Sequence, residues 1–252
     1  MRANRVFYRN ARVYARTWRS GVFFSFFQPL LFLSAIGFGV GKLIGADAPG
    51  GRGYLAFLAP ALLAAACMQT ATFESTYPLL GKIQWRRTYE AILATPISVK
   101  DLFAGEIRWL AMRMLMVGGT FAAVMLLLGV GRTPWMAASL FAAILTGLVF
   151  ATAISAFTAR SKTGSEFNWL FRFVITPMFL FSGTFFPIDR LPEYLQPVAI
   201  LTPLYHGVIL ARGFATETLT AYESVPHFAY LLLVFGAAYW LALRGFTKRL
   251  AS

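Results

Sequence analysis

Few residues in this 252-residue chain have the types and spacing that catalysis needs. A phosphate cradle requires a glycine loop ending in Gly-Lys-Ser/Thr at the mouth of a soluble helix. Gly41-Lys42 is followed by Leu43, inside an apolar run, so the chain is not expected to hydrolyse ATP by itself. Neither His-Glu-x-x-His nor Gly-x-Ser-x-Gly occurs. His206 and His227 are distant in sequence and have no cysteine nearby, which argues against a metal site. The single cysteine, Cys67, can form no intrachain disulfide. Asp189, Glu193 and Glu223 are the types that serve as acid and base in surface enzymes. Loop solvation or helix capping is the simpler role for each. No catalytic residue, metal or cofactor is expected on this chain.

Ion coupling would need ionisable groups at mid-membrane, where a charge costs about 2.5–3.5 kcal/mol. Glu74 lies near the inner end of an apolar run, and Arg113 and Arg172 lie about one turn inside theirs, from where arginine snorkels. The apolar runs hold almost no charge at mid-depth, so the energy for any transport comes from outside the chain.

The most informative polar stretch runs from Gly81 to Asp101. A helix is predicted from about Arg87 to Ala94, ended by Thr95-Pro96. Ser98 is placed to cap the next helix. Tyr89, Ile92 and Leu93 form a compact apolar face, flanked by Arg86, Arg87 and Glu90. Such a face must dock, either under the chain's own bundle or into a partner, and periodicity leaves both open.

The elements that hold these residues are membrane spans. Hydrophobic residues make up 58% of the chain and charged ones 13%, half the share of a soluble domain, and mean hydropathy is +0.63. Six stretches approach the roughly 20 apolar residues of a span: Gly21 to Ile44, Tyr54 to Phe73, Trp109 to Gly129, Trp135 to Phe157, Asn168 to Phe186 and His227 to Leu243. Seventeen of the 23 Lys and Arg fall on one side, including Arg2, Arg5, Arg9, Arg12, Arg16 and Arg19. Five fall on the other, which places both termini in the cytoplasm. The net charge of +13 then faces inner-leaflet lipid rather than nucleic acid.

Ala46-Asp47-Ala48 looks like a signal-peptidase site, but the preceding run is longer than a signal peptide's. The N-terminal arginines repeat at 3-4-3-4-3 spacing, which predicts an amphipathic interfacial helix over 1–20. Gly37, Gly41 and Gly45 form a small-xxx-small series. Between Leu191 and Arg212 the apolar pieces are broken by Pro192, Pro197 and Pro203 and are too short to span. They predict two short helices joined near Thr202-Pro203 and dipping into the outer leaflet. The expectation is an all-α membrane protein of six transmembrane helices. It forms one domain, 1–252, with a cytoplasmic loop over 81–108 and an external hairpin and loop over 187–226.

Two stretches carry a family resemblance. One is Ala71-Thr72-Phe73-Glu74 leading to Arg87-Thr88-Tyr89-Glu90-Ala91-Ile92-Leu93-Ala94-Thr95-Pro96. The other runs from Thr176-Pro177 through Phe181-Ser182-Gly183-Thr184-Phe185-Phe186-Pro187, then Leu191-Pro192 and Thr202-Pro203-Leu204. The chain resembles the permease subunits of type-2 ABC exporters, in particular the nodulation lipo-oligosaccharide and daunorubicin-resistance permeases. The resemblance implies a bacterial inner-membrane dimer of identical or paralogous permeases above two ATP-binding subunits, which bind the ATP and Mg. It implies coupling to them through Arg86, Arg87, Tyr89, Glu90, Ile92, Leu93, Thr95 and Pro96. Spans one, two and five would line a path for an amphiphilic or hydrophobic substrate, with Phe27, Gln28, Gln69, Phe73, Glu74, Phe179, Ser182 and Phe185 on it. The 25 phenylalanines suit such cargo, although most are expected to face lipid or neighbouring helices.

Two other readings compete. A membrane-embedded lipid or glycan transferase would need a converging polar cluster, and none is visible. A secondary carrier would show an inverted repeat, yet Pro29 and Pro177 fall at unmatched positions of the two halves.

Overall fold

The computed structural model describes residues 2–35 and 53–250, without the side chains of 17–29 and 32. The glycine series at Gly37, Gly41 and Gly45, the Ala46-Asp47-Ala48 site and the end of span one lie outside the described residues.

Every regular element among the described residues is helical. In chain order they are α1 (Arg2–Ala35), α2 (Tyr54–Glu74), α3 (Tyr77–Leu80), α4 (Thr88–Leu93), α5 (Val99–Leu127), α6 (Met136–Thr158), α7 (Glu166–Leu170), α8 (Thr176–Phe181), α9 (Gln196–Ile200), α10 (Pro203–Ala215) and α11 (Ala221–Leu250). Four described stretches are long and apolar enough to cross a membrane: Tyr54–Trp85, which contains α2, then α5, α6 and α11.

Helix α6 is the centre, packed against α2, α5, α10 and α11. Small residues let the neighbours approach. A Cβ on Gly147 would stand 2.5 Å from the Met114 sulfur and 3.1 Å from the Cys67 carbonyl oxygen, so α2 and α5 both close on this one glycine. The hydroxyls of Thr146 and Thr152 return to carbonyls of their own helix at 2.8 and 3.0 Å, which satisfies them without a partner or water.

The segment expected to be interfacial and the start of the expected first span form a single helix, α1, which runs through Pro29 to Ala35. Its buried side, Ala3, Val6 and Asn10, lies against α5. The contact needs Gly105, where a Cβ would stand 2.6 Å from the Ala3 carbonyl oxygen.

The stretch expected as span five, Asn168 to Phe186, is helical in pieces. Helices α7 and α8 are joined by a π-turn over Phe171–Ile175. The widened turn comes just before Pro177, whose missing N–H cannot bond to the Phe173 carbonyl.

The two short helices expected near Thr202-Pro203 are α9 and α10. Thr202 caps α10 by accepting from the Tyr205 N–H at 3.3 Å, and Pro203 fills its first turn. Helix α10 runs beside α6: the Ser139 hydroxyl donates to the Ala211 carbonyl at 2.8 Å, and Gly207 rests on Thr146. Thr146 is about 15 Å along α6 from Met136, so the tip of the pair reaches the middle of the bundle. A Cβ on Gly207 would overlap the Thr146 side chain. Gly207→Val is expected to cost about 1–3 kcal/mol through overpacking, seen as a lower melting temperature in detergent. Gly236, with open space around it, should tolerate the same change.

Candidate functional site

The loop between α2 and α5 folds as its residues require. Helix α3 continues into a second π-turn, Gly81–Trp85. Arg87 then takes a left-handed conformation, φ 45°, which turns the chain into α4. A non-glycine residue there stores about 1–3 kcal/mol of strain. Thr95 closes α4, its hydroxyl donating to the Ile92 carbonyl at 2.6 Å. Ser98 and Asp101 form a capping box that starts α5.

The apolar face of α4 is turned to the chain's own bundle. Tyr89 is completely buried and meets Phe246 of α11 with ring centroids 6.2 Å apart. Ile92 and Leu93 are half-buried against the same core. What remains exposed is the rim: Trp85, Arg86, Arg87, Glu90, Thr95 and Pro96. The Arg87–Glu90 pair, at 3.9 Å and well solvated, holds that rim only loosely.

Above the loop lies a polar knot that sequence reasoning missed. Glu106 of α5 is 3% exposed. Its Oε2 takes the Lys82 ammonium at 2.7 Å, and its Oε1 accepts from Asn10 Nδ2 at 3.0 Å. Tyr89 lies beside it. Burial first, and then this carboxylate, push the phenol well above its ordinary pKa, so it stays neutral. One carboxylate thus joins α1, the π-turn and α5. Its signal in the sequence was an acidic residue one turn before an apolar run, seven positions from Arg113. Arg249 of α11 fastens the far side. It donates to the carbonyls of Thr158, Ala159 and Ser161, which end α6, and to Gln84 of the π-turn.

The presumed path residues fall into two sets. Gln69, Phe73 and Glu74 lie towards the C-terminal end of α2, with Gln69 and Phe73 exposed one turn apart. Glu74 accepts from Arg113 Nε at 3.2 Å, and the Arg113 guanidinium lies 4.4 Å over the Tyr14 ring. Phe179 and Phe185 meet edge to face at 5.0 Å, and the buried Ser182 hydroxyl lies 2.8 Å from that of Thr202 at the tip of the helix pair. The side chains of Phe27 and Gln28 lie outside the described residues.

The helix pair is tied to both flanks of this second set. Arg212 of α10 donates to the carbonyls of Phe57, at 2.9 Å, and Gly183, at 2.8 Å, with the Phe57 ring 3.7 Å beneath it. His206 and His227, far apart in sequence, bring their Nδ1 atoms to 2.8 Å and join α10 to α11. Glu223 caps α11 through the Thr220 hydroxyl and N–H. Among the described residues no three His, Cys, Asp or Glu side chains gather as a metal site.

The profile of the ABC-2 type transporter family matches residues 4–214. The chain belongs to that family. It is 36% identical over 187 residues to Nodulation protein J of Rhizobium leguminosarum bv. viciae, which covers 73% of this chain and 71% of that one. To Nodulation protein J of Rhizobium meliloti (strain 1021) it is 33% identical over 216 residues, 80% of each chain. To the Inner membrane transport permease YadH of Escherichia coli (strain K12) it is 25% identical over 165 residues, 65% of this chain and 62% of that one. This ABC-2 chain is therefore a multi-pass membrane permease, a transporter subunit whose ATP-binding partner is a separate chain.

Proposed function

We propose that this ABC-2 permease moves an amphiphilic or hydrophobic molecule, such as a lipo-oligosaccharide or glycolipid, outward across the bacterial inner membrane. Two copies, or one copy and a paralogue, stand above a pair of ATP-binding subunits that hold ATP and Mg. The observation that carries this reading is the cytoplasmic loop. Its apolar side is anchored in the bundle while Trp85, Arg86, Arg87, Glu90, Thr95 and Pro96 face outward. That is the form of a lever, fixed at one end and free to take a push at the other. The name of the Escherichia coli relative, an inner membrane transport permease, favours a permease and an inner-membrane site. Copurification of the chain with an ATP-binding subunit, followed by a screen for ligand-stimulated ATP hydrolysis, tests it. Stimulation by lipo-oligosaccharides or similar amphiphiles supports the reading; a chain that captures no ATPase contradicts it.

Six spans with both termini cytoplasmic follow from the charge distribution, and the α9–α10 pair then enters from the outer leaflet. Its depth beside Thr146 and its polar ties through Ser182 and Arg212 support a re-entrant hairpin. Cysteine placed at Ala221 should react with an impermeant thiol reagent applied outside, and cysteine at Ser252 should not. Native Cys67 is buried and stays silent. External labelling at Ser252 would overturn this topology.

A further inference from the structure

The outward side of α1 is built unlike the rest of the cytoplasmic surface. Arg5, Arg9, Arg12 and Arg16 lie along one face with Tyr8 and Val13 between them, and together they line a hollow of about 480 Å³. Tyr8 is 63% exposed and Val13 55%. No acidic residue occurs anywhere in α1. Of the four guanidinium groups, that of Arg9 reaches round to Asn10 on the buried side at 3.2 Å. The depth of this face is set by its other side. Phe7 and Tyr14 rest on Trp109, at 6.2 and 5.6 Å, where α5 enters its apolar stretch. Tryptophan and arginine at that level mark the headgroup region. Beyond Arg19 the helix continues into apolar sequence.

We infer that this arginine face of α1 binds the phosphate groups of anionic phospholipids in the inner leaflet. Guanidinium groups pair well with phosphate oxygens. The interleaved Tyr8 and Val13 suit the boundary between headgroups and acyl chains better than an acidic protein surface, which would leave them wet. The inference rests on the cytoplasmic orientation proposed above.

The test uses the permease–ATPase complex extracted from membranes of phosphatidylethanolamine with graded phosphatidylglycerol, and the retained lipid is quantified by mass spectrometry. The wild-type complex should carry phosphatidylglycerol above its share of the bilayer. In the triple variant Arg5→Gln, Arg12→Gln, Arg16→Gln the enrichment should vanish, each neutralised charge weakening the affinity about fivefold. Arg9 is kept because it meets Asn10. The matching lysine triple should retain most of the enrichment. Removing three other exposed charges, Lys100, Arg160 and Lys162, should change nothing. Arg12→Gln alone gives the same sign if the triple variant fails to fold. Equal enrichment in wild type and glutamine triple overturns the proposal, as does equal loss in the control triple. Unchanged enrichment with loss of the ATP-binding subunit also overturns it, since the face would then meet that subunit. The readout is retained lipid, so a failure of transport alone bears on the export reading and not on this one.

Discussion

Glu106→Leu is expected to be among the most damaging single changes around the loop between α2 and α5. It leaves the Lys82 ammonium and the Asn10 amide without their acceptor, in a site where the carboxylate side chain is only 4% exposed. Leaving a partly buried ammonium and a buried amide without their acceptor costs about 1–3 kcal/mol, discounted by the 24% exposure of the Lys82 side chain. Replacing both members, Lys82→Met with Glu106→Leu, should recover much of that stability. The double variant should still transport poorly, since the link between α1, the π-turn and α5 is gone. Melting of the detergent-solubilised protein and transport in reconstituted vesicles separate the two effects. If the double variant transports as well as wild type, the Glu106 knot only holds the fold.

The second large effect divides the loop between α2 and α5 in two. Tyr89→Asp puts a carboxylate where the ring is wholly buried, against Phe246 and beside Glu106. Such a change is expected to unseat α4 and to cost several kcal/mol. Trp85→Ala and Arg87→Glu lie on the exposed rim and should leave the melting temperature nearly unchanged. They should weaken association with the ATP-binding subunit, Trp85→Ala by about 2 kcal/mol, as when a central aromatic anchor is lost. Binding measured by titrating the ATP-binding subunit onto vesicles checks this. Normal binding by both rim variants would contradict docking through this rim.

Much of the architecture could be read from local pattern. The apolar runs marked α2, α5, α6 and α11. Thr95-Pro96 marked the end of α4, Ser98 the start of α5, and Thr202-Pro203 the join of α9 and α10. Each of these depends on a residue and its near neighbours. The direction of the α4 face was not legible, because an apolar stripe records that something covers it but not what. Only the packing of α11 places Phe246 over Tyr89. The Glu106 knot was missed for a related reason. Its members are 96 and 24 residues away, so their meeting follows from how α1 and the π-turn cross α5. The histidine pair is the same case at 21 residues. Both π-turns also escaped, since a widened turn leaves no periodic mark over five residues.

ATP-driven uptake of a fluorescent lipo-oligosaccharide analogue into inside-out vesicles tests the central claim most directly. Vesicles carrying the chain with its ATP-binding subunit should accumulate the analogue in their lumen when ATP and Mg are supplied. They should fail to do so without ATP, and the rim variants Trp85→Ala and Arg87→Glu should lower the rate. ATP-dependent loss of preloaded analogue, or accumulation driven by a proton gradient with no ATP-binding subunit present, would contradict an ATP-driven exporter permease.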